Sequence, residues 1–349
     1  MSIAIITGSC GLVGSEAAIF FSKKGFDIIG IDNNSRKFFF GKDGDISWIK
    51  YKLKNTIKNY NHYNVDIKNY SNLEKIFKKY KKNISVIIHC AAQPSHDWAK
   101  NKPIIDFEIN AKGTLNLLEL TRIYCPASPF IFMSTNKVYG DNPNLLPLEE
   151  KKTRWEIKKT HKFYAGIDET MSIDNCTHSF FGASKSYADL IVQEYGKNIG
   201  LKTTCFRAGC ITGPNHSGAK LHGFLSYLVK TSIREKRYTL IGYKGKQVRD
   251  NIHSADLISC FWEFYKKPTS GKVYNAGGGR FSNCSIIEAL DILENLLKIK
   301  IKKTVIKQNR VGDHIWYVSS MKKFKKDYPN WKQKYSTKSI LAGLVKKFS

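Results

Sequence analysis

Three features of the 349-residue sequence predict an α/β fold with a doubly wound parallel sheet. Through the first third of the chain, short apolar runs alternate with segments of helical periodicity, as buried parallel strands alternate with crossover helices. A glycine-rich turn joins the first strand to the first helix, as in Rossmann-type sheets. After Arg207 the composition shifts to glycine, histidine and lysine, which predicts a second, smaller α/β lobe.

The apolar runs predict the elements of the first lobe in chain order. Strands are predicted at residues 2–7, 26–31, 63–66, 86–89 and 130–134. Helices are predicted at residues 12–24, 73–80 and 104–124, and from about residue 181. An aromatic and basic stretch, 35–62, is predicted to be an insertion after the second strand. The predicted lobes are 1–207 and 208–349, with parts of 248–276 returning to pack on the first lobe.

Charge and cysteine content narrow the class of protein. Lys plus Arg number 57 against 29 for Asp plus Glu, a net charge of +28, but the lysines are spread over nearly every segment. A solvated lysine-rich surface is therefore favoured over a nucleic-acid site. The eight cysteines form no CxxC motif, no run approaches about 20 apolar residues, and a strand begins at residue 3. We expect a cytoplasmic protein without a signal peptide, membrane span or metal site.

The segment TGSCGLVG at residues 7–14 is typical of a dinucleotide-binding turn. Gly8 permits the tight turn, Gly11 allows the backbone to approach a pyrophosphate, and Gly14 allows the helix to pack closely on the sheet. The helix then presents free N–H groups and a positive dipole to the phosphates. The cofactor contacts predicted in this segment are Gly8, Cys10, Gly11, Leu12, Val13 and Gly14.

Acidic residues after the next two predicted strands fit the adenosine half of a dinucleotide. Asp32 ends the second strand, where its carboxylate can accept both ribose hydroxyls and would repel a 2′-phosphate, so NAD is preferred over NADP. Arg36 follows closely and weakens this preference. Asp66 is expected at the adenine edge, although an aspartate before a helix is also an ordinary cap. The contacts predicted here are Asp32, Asn33, Asn34, Arg36, Asp66 and Ile67.

Further strings resemble the extended short-chain dehydrogenase/reductase family of nucleotide-sugar enzymes, from Ile3 to about Trp331. They are HCAAQ at 89–93, Asn110 with Gly113 and Thr114, STNKVYG at 134–140, GASK at 182–185, RDNIH at 249–253 and RVGD at 310–313. Within that family, the strings STNKVYGD, GKQVRD and QPS are similar to those of the 2-epimerases that act on CDP-linked sugars.

The resemblance implies an NAD-dependent epimerase that oxidises a sugar hydroxyl and then returns the hydride to the other face of the carbon. It implies that Thr135 is catalytic and that Lys185 binds the cofactor ribose. Further cofactor contacts are implied for Cys90, Ala91, Ala92, Gln93 and Asn110. Contacts to a nucleotide sugar in the smaller lobe and at the sheet edge are expected from Ser95, Thr135, Asn136, Lys137, His216, His222, Arg249, Arg310 and Asp313. Of these, Arg249 and Arg310 suit the diphosphate by their bidentate geometry.

The resemblance also implies a partner molecule, an oligomeric state and a cellular location. The partner molecule is a nucleotide sugar, CDP-linked by the subgroup strings. Helices that begin near Ile104 and Gly182 are expected to pair across a two-fold axis in a homodimer. The expected setting is the cytoplasmic synthesis of lipopolysaccharide O-antigen sugars.

One departure from the family pattern bears on the chemistry. The family's active-site helix carries Tyr-x-x-x-Lys, whose tyrosine is the general base, and here the tyrosine position is Phe181. Phenylalanine has no proton to exchange, so the acid–base step would be slow unless another group substitutes. Tyr164, His178 and Lys185 are the candidates, and the choice among them stays open. Alternative functions are a 4-epimerase, dehydratase or reductase on the same scaffold, or a binding protein whose catalysis has lapsed.

Overall fold

The computed structural model describes residues 2–216, 223–309 and 312–349. The chain divides into two compact units, each assembled from three stretches of sequence. The first unit consists of Met1–Val138, Ser179–Arg207 and Ile258–Tyr274. The second consists of Tyr139–His178, Ala208–Leu257 and Asn275–Ser349.

Strands and helices alternate along much of the described chain. The strands are β1 (Ile3–Thr7), β2 (Asp27–Ile31), β3 (Tyr60–Tyr63), β4 (Ile84–His89), β5 (Phe130–Thr135), β6 (Leu148–Glu150), β7 (Trp155–Ile157), β8 (Thr203–Ala208), β9 (Cys210–Thr212), β10 (Arg237–Ile241), β11 (Val248–His253), β12 (Lys272–Ala276), β13 (Asn283–Ser285), β14 (Lys302–Ile306) and β15 (Trp316–Tyr317). The helices are α1 (Leu12–Lys23), α2 (Ser35–Phe40), α3 (Ser47–Thr56), α4 (Tyr70–Tyr80), α5 (His96–Asn101), α6 (Pro103–Phe107), α7 (Gly113–Tyr124), α8 (Ser179–Lys197), α9 (Phe224–Glu235), α10 (Ser254–Lys266), α11 (Ile286–Leu297), α12 (Lys322–Asp327) and α13 (Thr337–Phe348).

The first unit contains the parallel sheet that the apolar runs predicted. Over the described residues it has seven strands in the order β12–β8–β5–β4–β1–β2–β3. Strand β1 is buried throughout and lies between β2 and β4, with Ile5 opposite Ile29 and Ile87. The strand order reverses between β1 and β4, and the carboxyl ends of strands at such a switch point form the usual ligand crevice of this fold.

Two predicted elements of the first unit differ from the structure, one in its position and one in its continuity. The third strand is Tyr60–Tyr63 rather than 63–66, because Tyr60 to Tyr63 pair in register with Ile28 to Ile31 of β2. The predicted insertion therefore ends before Tyr60, and it holds α2 and α3. The predicted helix 104–124 is interrupted between α6 and α7 by a π-helical turn, Glu108–Lys112. Such turns widen a helix locally and often mark functional positions.

The second unit contains smaller sheets and its own core. Strand β11 pairs with β13, β15 and β9, whereas β10 pairs with β14. Helices α9, α11 and α13 enclose an apolar core that includes Leu228, Leu290 and Leu341. The polar segment 139–178 belongs to this unit, although the sequence assigned it to the first lobe. It forms the β6–β7 hairpin, and the N–H of Trp155 donates to the carbonyl of Lys246 in the same unit.

The structure also bears on membrane crossing. Among the residues it describes, no helix has the length and apolar character that a membrane crossing requires.

Candidate active site

The turn between β1 and α1 has no room for side chains at two of its glycines. Gly8 has a left-handed backbone, with φ of +65°, and a Cβ there would lie 2.7 Å from the amide nitrogen of Ala91. A Cβ at Gly14 would lie 2.1 Å from the carbonyl oxygen of Gly8. Gly11 precedes α1 and provides no side-chain cap, so the N–H groups at Leu12 and Val13 begin a helix open to an anion. This cradle fits a dinucleotide pyrophosphate.

Asp32 lies at the carboxyl end of β2, beside the glycine turn. Its carboxylate accepts hydrogen bonds from the N–H groups of Cys10 and Asn34, at 2.9 and 2.8 Å. Burial raises the pKa of Asp32. Because a carboxylate has about four acceptor sites, these two bonds leave capacity for ribose hydroxyls. Burial also raises the pKa of the Cys10 thiol to about 12, so Cys10 is a thiol at neutral pH.

The other predicted adenosine contacts have local structural partners. The side chain of Asn33 accepts from the N–H of Ser35, and the guanidinium of Arg36 lies 4.9 Å from the centre of the Phe40 ring. The carboxylate of Asp66 accepts from the N–H of Lys68 in the turn before α4, and the N-cap of α4 is Asn69. Ile67 is buried, and a Cβ at Gly113 would lie 2.6 Å from its Cδ1.

The turn after β4 is held by a chain of buried hydrogen bonds. The ring of His89 bonds Thr7 through Nδ1 at 2.7 Å and Thr114 through Nε2 at 2.9 Å. The N–H of Cys90 donates to the carbonyl of Thr7, and that of Ala91 donates to its hydroxyl. Burial lowers the pKa of His89 well below its usual value, so the ring is neutral and positions the Cys90–Ala91–Ala92 turn.

The π-helical turn places Asn110 in a buried polar cluster. Its side chain accepts from the N–H of Gln93 at 2.9 Å and donates to the Gln93 carbonyl and to Asp106. Asp106 also accepts from the side chains of Gln93 and Ser184, at 2.7 and 2.6 Å. The carbonyl of Ser95 accepts from Gln93 as well. Because every group in the cluster is bonded, it fixes the loop after β4 against α8.

Lys185, the last residue of the GASK string, is buried on α8. Its Nζ donates to the carbonyl of Met133 at 2.9 Å and lies 4.1 Å from the centre of the Phe132 ring. Burial lowers the pKa of Lys185 to about 8. The bond to Met133 holds the ammonium beside β5, the strand that ends at Thr135.

Thr135 ends β5 and begins the turn that follows. Its hydroxyl accepts from the N–H of Lys137 at 3.2 Å, and Asn136 beside it is buried. Ser134 on the same strand donates to the carboxylate of Asp189 at 2.5 Å, and Arg207 bonds that carboxylate in two places, at 2.7 and 3.1 Å. Asp189 therefore ties α8 to β8 through the buried ion pair with Arg207 and to β5 through the hydrogen bond from Ser134.

Phe181 stands on the same helix, four residues before Lys185. Its ring contacts the imidazole of His96, with 4.8 Å between the ring centres and 61° between the planes. His96 Nδ1 lies 3.0 Å from the hydroxyl of Ser179. No motif in the sequence pointed to His96, although it directly follows the Gln93–Ser95 string, or to Ser179, Asp106 and Asp189.

Two of the three predicted bases lie in the second unit. The Arg280 guanidinium lies 4.3 Å from the centre of the Tyr164 ring. Nε2 of His178 lies 2.7 Å from the carbonyl oxygen of Ile173 and 3.4 Å from the sulfur of Cys176. A nitrogen that donates to a carbonyl carries the proton, so Nε2 of His178 is not a base in this arrangement.

The predicted substrate residues of the second unit are partly paired. Arg249 forms an ion pair with Asp313 at 2.8 Å and also donates to the carbonyl of Val248. His216 is buried, and its carbonyl lies within bonding distance of Ser226 and Lys347. His222 and Arg310 lie outside the described residues. Within the described ranges, no cluster of three histidine, cysteine or acidic residues has a geometry that could hold a metal ion.

Comparisons with known proteins show which family the chain matches. Residues 4–277 match the model of the NAD dependent epimerase/dehydratase family. CDP-paratose 2-epimerase of Salmonella typhi is 31% identical over 345 residues, which cover 96% of this chain and 95% of the relative. UDP-glucuronate 4-epimerase of Thermodesulfobacterium geofontis is 26% identical over 99% of this chain and 95% of its own length.

A solved structure shows the same fold. The crystal structure of UDP-glucose 4-epimerase from Bifidobacterium longum, in complex with NAD+ and UDP, superposes with a TM-score of 0.80. The alignment covers 99% of this chain and 98% of that one at 20% sequence identity. The Rossmann-type fold predicted from the sequence is thereby confirmed.

Proposed function

Because this chain belongs to the NAD dependent epimerase/dehydratase family, we propose that it is a nucleotide-sugar epimerase that inverts carbon 2 of a CDP-linked deoxysugar. The observation that carries the proposal is the 31% identity to a CDP-paratose 2-epimerase over 96% of the chain. The 4-epimerase and dehydratase relatives are less similar or match a smaller part of the chain.

NAD is the cofactor of the family, and the residues of the glycine turn fit it. When bound, NAD accepts a hydride from the sugar carbon and returns it. The cradle at Gly8 and Gly14 and the start of α1 would hold its pyrophosphate, and Asp32 its ribose. Lys185, buried below the end of β5, would hold the nicotinamide ribose, and Thr135 would hydrogen-bond the reacting hydroxyl.

The nucleotide diphosphate is the anionic part of the proposed substrate. We assign its binding to Arg249 and Arg310, whose guanidinium groups match phosphate oxygens in pairs. The ion pair between Arg249 and Asp313 orients that guanidinium. Ser95, Asn136, Lys137, His216 and His222 are assigned to the remaining polar groups of the substrate.

One observation favours a second function, a binding protein whose catalysis has lapsed. Phe181 removes the hydroxyl that exchanges protons in the family's Tyr-x-x-x-Lys pattern. General base catalysis contributes about 10²- to 10⁴-fold, so a protein without any replacement would turn over very slowly.

A proton NMR time course of the purified protein with NAD and CDP-paratose tests the proposal. We expect signals of CDP-tyvelose to grow as those of CDP-paratose fall. Line broadening of CDP-paratose without conversion would support the binding protein instead. A panel of UDP-, GDP- and dTDP-sugars then separates a wrong choice of sugar from lapsed catalysis, because a 4-epimerase, dehydratase or reductase would convert one of these.

We also propose a homodimer formed through α6 and α8. Both helices expose large apolar side chains, including Ile104, Phe107, Phe180 and Leu190. The ring centres of Phe107 and Tyr187 lie 5.9 Å apart. Sedimentation should show a dimer at micromolar concentration, and Leu190→Glu should shift it to monomer. Val305→Glu, at an exposed position on β14, is the control. A wild-type protein that sediments only as monomer would contradict this assembly.

The eight cysteines support a reducing compartment. All eight are free thiols in the structure, and several, such as Cys205 and Cys260, are buried. We therefore propose the cytoplasm as the site of action, on sugars destined for lipopolysaccharide O-antigen.

A further inference from the structure

An aromatic contact joins the segments that follow β2 and β4. The ring centre of Trp98 on α5 lies 4.7 Å from that of Phe39 and 5.9 Å from that of Phe38, both on α2, in edge-to-face arrangements. Strand β1 lies between β2 and β4 in the sheet, and the glycine turn follows its carboxyl end. A contact between elements that follow the two flanking strands therefore crosses the edge of the sheet at which the dinucleotide cradle lies.

On the β2 side, hydrogen bonds connect α2 to the glycine turn. Asp32 accepts from the N–H of Cys10 in the turn and from the N–H of Asn34, the residue before α2. The side chain of Asn34 in turn donates to Asp45 at 3.0 Å and accepts from the N–H of Ile46 at 3.2 Å. These bonds fix the start of α2 both to the turn and to the segment that precedes α3.

On the β4 side, a second chain of hydrogen bonds connects α5 to the same turn. The N–H of Ala91 donates to the hydroxyl of Thr7, the last residue of β1. The side chain of Gln93 donates to the carbonyl of Ser95, whose hydroxyl accepts from the N–H of Trp98 at 3.3 Å. Together with the ring contacts and the bonds on the β2 side, this chain closes a circuit that begins and ends at the glycine turn.

We propose that Phe38, Phe39 and Trp98 form an aromatic closure over the dinucleotide cradle, and that this closure sets the rate at which the cofactor enters and leaves. The inference rests on the assignment of NAD to the cradle and is independent of the sugar. In the proposed epimerisation the hydride returns to the same sugar, so NAD is regenerated in every turnover and has no need to leave. Slow exchange also keeps the reduced cofactor beside the keto sugar until the hydride has returned.

The three rings differ in burial, which decides how each is tested. Phe39 packs against the core of the first unit, so a change there would also act on folding. Trp98 is half-buried and takes part in both ring contacts, so Trp98→Leu removes both and keeps an apolar side chain. Phe38 is 71% exposed, and Phe38→Ser removes only the more distant contact with Trp98. Tyr51→Ser, at a 70% exposed aromatic residue of the same insertion, is the matched control.

The rate of cofactor exchange is the quantity to measure. The full-length protein is loaded with NADH and mixed with an excess of NAD, and the fluorescence of NADH is followed as it leaves. A titration with NADH gives Kd, and the release rate divided by Kd gives the association rate. Neither measurement needs a sugar, so the closure is tested separately from the proposed substrate.

We expect Trp98→Leu to release NADH about tenfold faster than the wild type and Phe38→Ser about threefold faster, because one edge-to-face ring pair contributes a factor of this order. A closure slows entry as well as release, so the association rate should rise by a similar factor and Kd should change by less than about threefold. Tyr51→Ser should stay within about twofold of the wild type in both rates, as a surface change away from the closure.

The proposal is overturned if release from Trp98→Leu and Phe38→Ser stays within about twofold of the wild type, because the rings would then only pack the insertion. Faster release with an unchanged association rate would also overturn it, since the rings would then contact the cofactor instead of closing over it. If Trp98→Leu does not fold, Phe38→Ser decides alone, because it changes a surface side chain.

The outcome for the wild type separates this proposal from the proposed function. A wild-type protein that binds neither NADH nor NAD would overturn the closure together with the assignment of NAD to the cradle. A protein whose variants exchange NADH as expected, but which converts no nucleotide sugar, would support the closure and contradict only the proposed epimerisation.

Discussion

The glycine turn at Gly8–Gly14 depends on backbone groups, whereas the start of α8 at Ser179–Asp189 depends on side chains. The turn offers backbone N–H groups, and its shape depends on the absence of side chains, because a Cβ at Gly14 would collide with the carbonyl of Gly8. At the start of α8, the ionisable side chains of Lys185 and Asp189 are both buried. A change in the turn should therefore act through sterics, and a change on α8 should act through electrostatics and proton transfer.

The largest expected effect is that of Asp189→Asn. The substitution leaves the buried guanidinium of Arg207 without its carboxylate, so we expect the free energy of unfolding to fall by about 3–5 kcal/mol in urea titrations. Asp291→Asn, which breaks an exposed pair with Lys303, is the control and should cost at most about 1 kcal/mol. Equal effects of the two changes would show that burial does not govern this ion pair.

Gly14→Ala tests the steric side of the comparison. The added Cβ would lie 2.1 Å from the carbonyl oxygen of Gly8, so the turn must shift. We expect a loss of about 1–3 kcal/mol in stability and a loss of NAD binding, measured by unfolding and by cofactor titration. Gly343→Ala on α13 meets nothing within 4 Å and should slightly increase stability. Unchanged NAD affinity in Gly14→Ala would refute the close-packed turn.

Lys185→Met tests the electrostatic part of the comparison through the pH dependence of the unfolding free energy. Because burial lowers the pKa of Lys185 to about 8 from 10.5, the folded protein loses this proton while the unfolded chain still holds it. Stability from this group should therefore rise between pH 8 and pH 10.5, by about 3 kcal/mol, and be constant below pH 8. The difference in unfolding free energy between wild type and variant should show this rise. A flat difference would mean that Lys185 keeps an ordinary pKa.

Asp32→Ser should have the smallest effect. Removing the carboxylate takes away an acceptor for the ribose hydroxyls, so we expect NAD affinity to fall about tenfold while NADP affinity rises. Isothermal titration with both cofactors measures the change. Asp27→Asn, at the other end of β2, serves as the control because it bonds Asn59 on the surface. A variant that keeps its preference for NAD would place the discrimination elsewhere.

Much of the first unit could be predicted because its signals are local. Buried parallel strands read as continuous apolar runs, and β1, β2, β4 and β5 lie within two residues of the predicted ranges. The third strand was misplaced because YNHY carries polar residues and is a strand through its pairing with β2. The π-helical turn was missed because the apolar periodicity continues through it from Ile104 to Tyr124.

The residues of the candidate site also fall into those that local motifs identified and those that only the tertiary structure brought together. The motifs named Thr135, Lys185, Asn110 and the glycine turn, and the sequence alone also showed that Phe181 replaces the expected tyrosine. It gave no sign of the contact between His96 and Phe181, because the two residues lie 85 positions apart in the chain. Tyr164 and His178 were chosen for their nearness in sequence, and both belong to a different unit from Phe181.

The sequence by itself determined the fold class, the family, the cofactor turn and the missing tyrosine, because glycine geometry and apolar runs act over a few neighbouring residues. The tertiary structure decided which polar side chains meet. It buried Asp189 with Arg207, joined Asp106 to Gln93 and Ser184, and set His96 against Phe181. Such contacts depend on how distant segments pack, and no pattern along a single stretch of chain specifies them.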